Sequence, residues 1–170
     1  MTTTNKRPAE AEVRQGLTEN QLGTCERLDR EIWVPRPISQ VFEFFAQPKN
    51  LEQLTPDWLR FEIRSSLPLE MKVGTLIDYR IRLYGLPMSW RTLISAWMPP
   101  FRFVDEQLRG PFSLWWHEHT FIERDGGTLL GDHVRYRAPV GFISHPLMVR
   151  RQLQRIFGHR TEVIQRLFGS

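Results

Sequence analysis

The stretch from Leu114 to Tyr136 constrains the fold most, because its side chains change character with a period of two on both sides of a turn. Trp115, His117, His119 and Phe121 fall on one face of such a strand, and Trp116, Glu118, Thr120 and Ile122 on the other. Arg124-Asp125-Gly126-Gly127 supplies turn chemistry, and Thr128 to Tyr136 runs back. A four-residue loop sets His119 opposite Asp132, His117 opposite Val134 and Trp115 opposite Tyr136. One face of the hairpin then carries two large aromatics, two imidazoles and a carboxylate among apolar neighbours. That mixture suits the wall of a mostly apolar cavity with a few polar anchors.

The remaining chain supplies the other parts of a sheet and its cover. Glu26 to Val34 reads as a strand that Pro35 and Pro37 end. Ser39 to Ala46 has helical spacing, with Ile38, Val41, Phe42 and Phe45 on its apolar side, and Leu51 to Leu54 makes a second short helix. Phe61 to Ser65 reads as a short strand. Thr75 to Leu83 alternates cleanly, with Ile77, Tyr79, Ile81 and Leu83 on one face. Met88 to Met98 returns with Met88, Trp90, Thr92, Ile94 and Ala96 on that same side, and Arg102 to Leu108 precedes the hairpin. From Pro146 to Phe168 the period becomes helical, with an apolar stripe of Val149, Leu153, Ile156, Phe157, Val163, Ile164 and Leu167. Arg150, Arg151, Arg155 and Arg166 populate its outer side. Gly158 sits inside this helix, where a close neighbour or a bend would account for it.

Composition narrows the function classes. An apolar fraction of 41% indicates a folded globule, and 170 residues suffice for one core without metal or disulfide staples. Cys25 is the single cysteine, so no intramolecular disulfide forms and a cytoplasmic setting is expected. No apolar run reaches the length of a membrane span, and the N-terminus lacks the apolar core of a signal peptide. Residues 1–22 are polar and aperiodic and are expected to form a flexible tail before a single domain over 23–170. The formal charge of +4 invites nucleic acid, yet acids interleave with the arginines and the aromatics phase inward, so nucleic acid is not expected as a partner.

The order strand, two short helices, strands, long helix is that of the helix-grip fold. The segments PRPISQVFEFFAQPKNLEQLTPDWLRFEI, GTLIDYRIRLYGLPMSWRTLI, PPFRFVDEQLRGPFSLWWHEHTF and GGTLLGDHVRYRAP resemble the ligand-binding SRPBCC domains of the START-like superfamily, in an uncharacterised bacterial branch. That superfamily also holds polyketide cyclase/dehydrases, lipid-transfer proteins and the major birch pollen allergen. The resemblance spans about residues 26 to 168. It implies an α+β fold in which a curved seven-stranded antiparallel sheet wraps a long C-terminal helix. It also implies a small hydrophobic or amphipathic ligand, such as a lipid, isoprenoid or polyketide-like molecule.

The expected pocket lies between sheet and C-terminal helix. Its lining by phase is Ile77, Tyr79, Ile81, Trp90, Ile94, Trp115, His117, His119, Phe121, Asp132, Val134, Tyr136, Leu153 and Phe157. Asp132 is expected to accept a hydrogen bond from His119 and make a polar anchor of it. A catalytic version uses the same two residues as an acid–base pair, with Tyr79 or Tyr136 as proton donor, for cyclisation or dehydration. His117, His119 and Asp132 have the ligand types of a two-His, one-carboxylate metal site. No diagnostic spacing accompanies them, and neither metal nor cofactor is expected. Trp116 is expected on the convex face, in a cation–π contact with Arg135. Transient contact with a membrane would suit loading of an apolar ligand.

Overall fold

In the computed structural model, which describes residues 25–83, 85–138 and 146–169, seven antiparallel strands form one open sheet. The strands are β1 (Glu26–Val34), β2 (Glu62–Ile63), β3 (Leu76–Leu83), β4 (Leu86–Met98), β5 (Arg102–Arg109), β6 (Leu114–Arg124) and β7 (Gly127–Arg137). Their order across the sheet is β1-β7-β6-β5-β4-β3-β2, so β1 closes onto the last strand. Between β1 and β2 lie two short helices, α1 (Ile38–Phe45) and α2 (Leu51–Leu54), and the chain ends in α3 (Pro146–Phe168). This is the expected helix-grip arrangement. The expected tail, residues 1–22, lies outside the described residues.

Local chemistry accounts for each boundary. Pro35 and Pro37 stop β1, and Pro37 stands at the helix entrance with φ −57°, a value that its ring fixes. Ile38, Val41, Phe42 and Phe45 recur at helical spacing and are all buried, so α1 lays one continuous apolar stripe against the sheet. The β6–β7 turn is tighter than its composition suggests. Asp125 (φ 51°) and Gly126 (φ 74°) both take left-handed backbone, and Arg124 already pairs with Gly127. A two-residue turn with positive φ at both central positions matches the twist of the strands. The loop is two residues, not four, and the register is the same: His119 opposite Asp132, His117 opposite Val134, Trp115 opposite Tyr136.

The concave side holds two apolar clusters. One contains Val41, Phe42, Phe45, Phe103, Phe121, Val163, Ile164 and Phe168, where α1 and the end of α3 meet the sheet. The other contains Ile77, Tyr79, Ile81, Trp90, Ile94, Trp115, Leu153 and Phe157. Irregular pairing in β4 changes which side chains join them. The β4–β5 register slips between Ile94 and Ala96, leaving Ser95 without a Cα partner. A bulge of this kind reverses the alternation. Ala96 therefore does not share the face of Ile94 as expected; Trp97, paired with Phe103, packs on Phe42 there instead. In α3 the last turn also differs from the expected stripe: Phe168 is buried, and Leu167 is exposed.

Two smaller expectations are corrected. Trp116 does lie opposite Arg135, but Arg135 turns its guanidinium to Asp29 at 2.8 Å, where a carboxylate outcompetes an aromatic face. A side chain at Gly158 would meet nothing within 4 Å, so no close neighbour explains that glycine. Among the described residues no helix is long and apolar enough to cross a membrane.

Candidate functional site

A cavity of about 860 Å³ lies between the sheet, α1, α2 and the first half of α3. Its volume falls within the roughly 300–1,000 Å³ of small-molecule sites. Ten of the fourteen expected residues line it: Ile77, Tyr79, Ile81, Trp90, Ile94, Trp115, His117, His119, Leu153 and Phe157. Phe121, Asp132, Val134 and Tyr136 do not. Phe121 is sealed by Phe42 and Phe45 edge-on at 5.3 and 5.4 Å. Val134 and Tyr136 stand on β7, and α3 packs over the β1–β7 side of the sheet and covers them. Tyr136 donates its hydroxyl hydrogen to Glu26 Oε2 at 2.9 Å; burial and that carboxylate push its pKa up, which ties it to the wall. Asp132 lies behind the cavity wall, in contact with groups that do reach the cavity.

Those groups form one buried polar cluster at the boundary of the two apolar clusters. His117 donates from Nε2 to Asp132 Oδ1 at 2.9 Å. His119 meets two carboxylates: Nε2 stands 3.0 Å from Asp105 Oδ2 and Nδ1 3.1 Å from Asp132 Oδ1. From α3, Arg160 donates its Nε to Asp132 Oδ2 at 2.9 Å and its Nη2 to Asp132 Oδ1 at 3.1 Å. The same Nη2 lies 3.2 Å from His119 Nδ1. Phe103 stacks on His119 at 4.1 Å between ring centroids, and the two imidazoles lie 3.8 Å apart. Aromatic walls hold these rings in place while one edge of each reaches the cavity.

His119 Nδ1 does stand 3.1 Å from Asp132, but the imidazole hydrogen-bonded to Asp132 is that of His117, and His119 gives its Nε2 hydrogen to Asp105, so the cluster is larger than the expected pair and differently joined. Asp105 and Arg160 both line the cavity, and neither was expected. Arg160 follows Ile156 and Phe157 by four and three residues, so the helical period already placed a charged residue within the buried stripe. That is the signal that could have found it. Asp105 follows Phe103 by two residues on β5, and β5 sets Phe103 opposite His119 and Asp105 opposite His117.

Burial sets the charge states. It works to raise both carboxylates, but the net effect is the reverse. At Asp132 the Arg160 guanidinium, with hydrogen bonds from His117 and His119, holds the carboxyl well below its ordinary range. At Asp105 the nearby His117, the bond from His119 and Arg160 hold it low. Burial pushes His117 below the ordinary imidazole value, aided by His119 and opposed by Asp105 and Asp132. Both carboxylates are thus ionised and His117 is neutral near pH 7. Elsewhere on the wall Tyr79 and Thr92 share a hydrogen bond of 2.8 Å between their hydroxyls. Trp90 Nε1 is buried against the cavity and has no hydrogen-bond partner among the described residues.

Comparisons with known proteins agree on the fold. The sequence profile of the polyketide cyclase/dehydrase and lipid transport family matches residues 34–162. A solved structure of protein Ms6760 from Mycobacterium smegmatis superposes with a TM-score of 0.62 at 18% identity, covering 86% of this chain and 92% of that one. The Zhui aromatase/cyclase from a Streptomyces species gives 0.60 at 15% identity, over 84% and 95% of the two chains. A major latex-like protein from Panax ginseng gives 0.59 at 12% identity, over 84% and 97%. No curated protein matches the chain in sequence.

Proposed function

The chain belongs to the polyketide cyclase/dehydrase and lipid transport family, and from that premise we propose that it binds a small hydrophobic or amphipathic molecule in the cavity between sheet and α3. The ligand class is a lipid, isoprenoid or polyketide-like aromatic, held with its polar end toward Asp105, His117, His119 and Arg160. The observation that carries this reading is the wall itself: tryptophan, tyrosine and aliphatic side chains around about 860 Å³, with the Trp90 indole N–H unpaired among the described residues. A buried donor without an acceptor costs about 1–3 kcal/mol. A ligand carbonyl or hydroxyl that accepts from Trp90 recovers part of that, which favours a ligand with an oxygen within reach of this indole.

The reading includes a cytoplasmic setting and ligand exchange through brief contact with a membrane. Leu86, which lines the cavity and is more than half exposed, supports such contact. A second reading rests on His117, whose neutral ring is oriented by Asp132 and reaches the cavity. There His117 or His119 serves as general base toward a carbon-bound proton of the same kind of ligand, as in the cyclisations that an aromatase/cyclase performs.

Native mass spectrometry of protein purified from its own host tests the proposal, followed by extraction and identification of what travels with it. The expected result is a lipid-like mass of one equivalent, weakened about tenfold by Trp90→Phe, which removes the N–H and keeps the ring. Consumption of that molecule on incubation, abolished by His117→Ala or His119→Ala, favours the enzyme. Protein that carries nothing and binds no member of a fatty-acid, isoprenoid and aromatic-polyketide panel overturns both readings.

A further inference from the structure

The polar cluster contains an arrangement that ligand binding alone does not use. His117 gives its Nε2 hydrogen to Asp132 and turns Nδ1 toward Asp105 Oδ2 at 3.5 Å. That separation is longer than a normal N–H···O hydrogen bond and leaves room for a cation bound by both atoms. His119 turns Nε2 to the same Asp105 oxygen at 3.0 Å and Nδ1 to Asp132 at 3.1 Å. Asp105 thus stands in front of both imidazoles, while Asp132 accepts from His117 behind and shares the space behind His119 Nδ1 with Arg160 Nη2. A metal-bound histidine characteristically donates its other N–H to a carboxylate in this way.

Distances and charge agree with that arrangement. Ligating atoms of Asp105, His117 and His119 all lie within 4.8 Å of one another. The separations of 3.0 and 3.5 Å from Asp105 lie on either side of the edge, about 3.3 Å, of a tetrahedron with metal bonds of about 2.0–2.1 Å. Arg160 offsets Asp132 through two hydrogen bonds and makes none to Asp105, whose carboxylate supplies the negative charge that a cation would meet. All three residues line the cavity, so further coordination positions open onto it. We propose that Asp105 Oδ2, His117 Nδ1 and His119 Nε2 bind one divalent transition-metal ion, of the Zn²⁺ or Fe²⁺ class that two imidazoles and one carboxylate suit. Binding the metal at Nε2 moves the His119 hydrogen to Nδ1, where Asp132 Oδ1 accepts it, and ends the 3.2 Å donation from Arg160 Nη2 to that nitrogen; Arg160 keeps its two bonds to Asp132. The expected two-His, one-carboxylate set named Asp132 as the ligand; the geometry gives that place to Asp105 and makes Asp132 the supporting carboxylate. The site shares Asp105, His117 and His119 with the polar end proposed for the ligand, and its test stays separate because the metal alone is the probe.

The test uses the full chain, stripped with a chelator and titrated with Zn²⁺ by calorimetry. One equivalent binds at micromolar or tighter affinity, and Co²⁺ in its place gives visible ligand-field bands. Asp105→Asn and His119→Gln each weaken Zn²⁺ at least tenfold. Asp132→Asn, which leaves all three ligands, weakens it about 10–100-fold, as loss of a supporting carboxylate does. His133→Gln, on the convex face, leaves it unchanged. Zn-edge X-ray absorption of the unmutated chain reads the site without any variant, and two imidazoles with oxygen ligands are expected. Sulfur ligation, an all-oxygen shell, unaltered affinity in both Asp105→Asn and His119→Gln, or no stoichiometric uptake of Zn²⁺, Co²⁺ or anaerobic Fe²⁺ overturns the proposal.

Discussion

Arg160 is the side chain on which the polar cluster depends, since it reaches from α3 across to Asp132 on β7 with both partners buried. Replacing it with Met fills much of the volume but leaves an ionised carboxylate without its cation. Removal of one partner from such a pair costs about 3–5 kcal/mol. Arg160→Met is expected to lose that much in urea denaturation, and Arg160→Lys less, because the charge survives without the two-pronged geometry. The cluster also makes stability fall with acid in two stages. His117 is held below its unfolded value, so the unfolded chain binds the extra proton; its contribution is complete above about pH 6.5 and is lost as pH falls through the folded value. Asp132 is also depressed, so its share is present above about pH 4 and disappears below that. Denaturation midpoints of metal-free protein should decline from pH 7 downward, and His117→Gln should flatten the first stage only; an unchanged slope would count against the buried neutral ring. Much of this site could be read from the hairpin alone, because a two-residue turn fixed the register that joins His117, His119 and Asp132. Asp105 could not, because the loop between β5 and β6, Gly110-Pro111-Phe112-Ser113, marks a turn but not a two-residue hairpin type that sets a register.

At the scale of elements, the legible features were those with a clean period, and the misread ones were where the period breaks. α1 kept its apolar spacing, as did α3 up to its last turn, and alternation held through β3, along β6 as far as Phe121 and along β7 from Asp132 to Tyr136. β4 did not: its irregular register turns Trp97 inward, and a single extra residue leaves no mark in composition. Two glycines show the same limit. Gly158 and Gly127 both interrupt regular elements, yet a side chain at Gly158 would enter open space, while one at Gly127 would collide with the Val34 carbonyl and the Trp33 ring. The Gly158 backbone is helical, so Gly158→Ala should stabilise by about 1 kcal/mol through helix propensity. Gly127→Ala should destabilise, because β1 must move away from β7 to admit the methyl. Thermal melts of the two variants should shift in opposite directions, by about 2–4 °C upward for Gly158→Ala.

The whole molecule divides its concave side between a filled half and an open half, and this division gives the last prediction. α1 and the end of α3 fill one half with Phe42, Phe45, Phe121 and Phe168. In the other half the sheet, α2 and the start of α3 stand apart around the cavity. Protein interiors are close-packed, and side chains that face a void forgo dispersion contacts that a filling molecule restores. A ligand that enters this space therefore stabilises the fold by mass action, about 2.7 kcal/mol at a hundredfold excess over Kd. Protein stripped of its co-purified molecule by organic extraction and refolding should melt several degrees lower, and should recover when that molecule is returned. Ile94→Trp, which places an indole in the cavity from a fully buried strand position, should separate the two effects. Its melting temperature should equal or exceed that of the stripped protein and should not respond to the added molecule. If the stripped protein and Ile94→Trp both respond as the loaded protein does, the molecule binds elsewhere and the open half is only loosely packed.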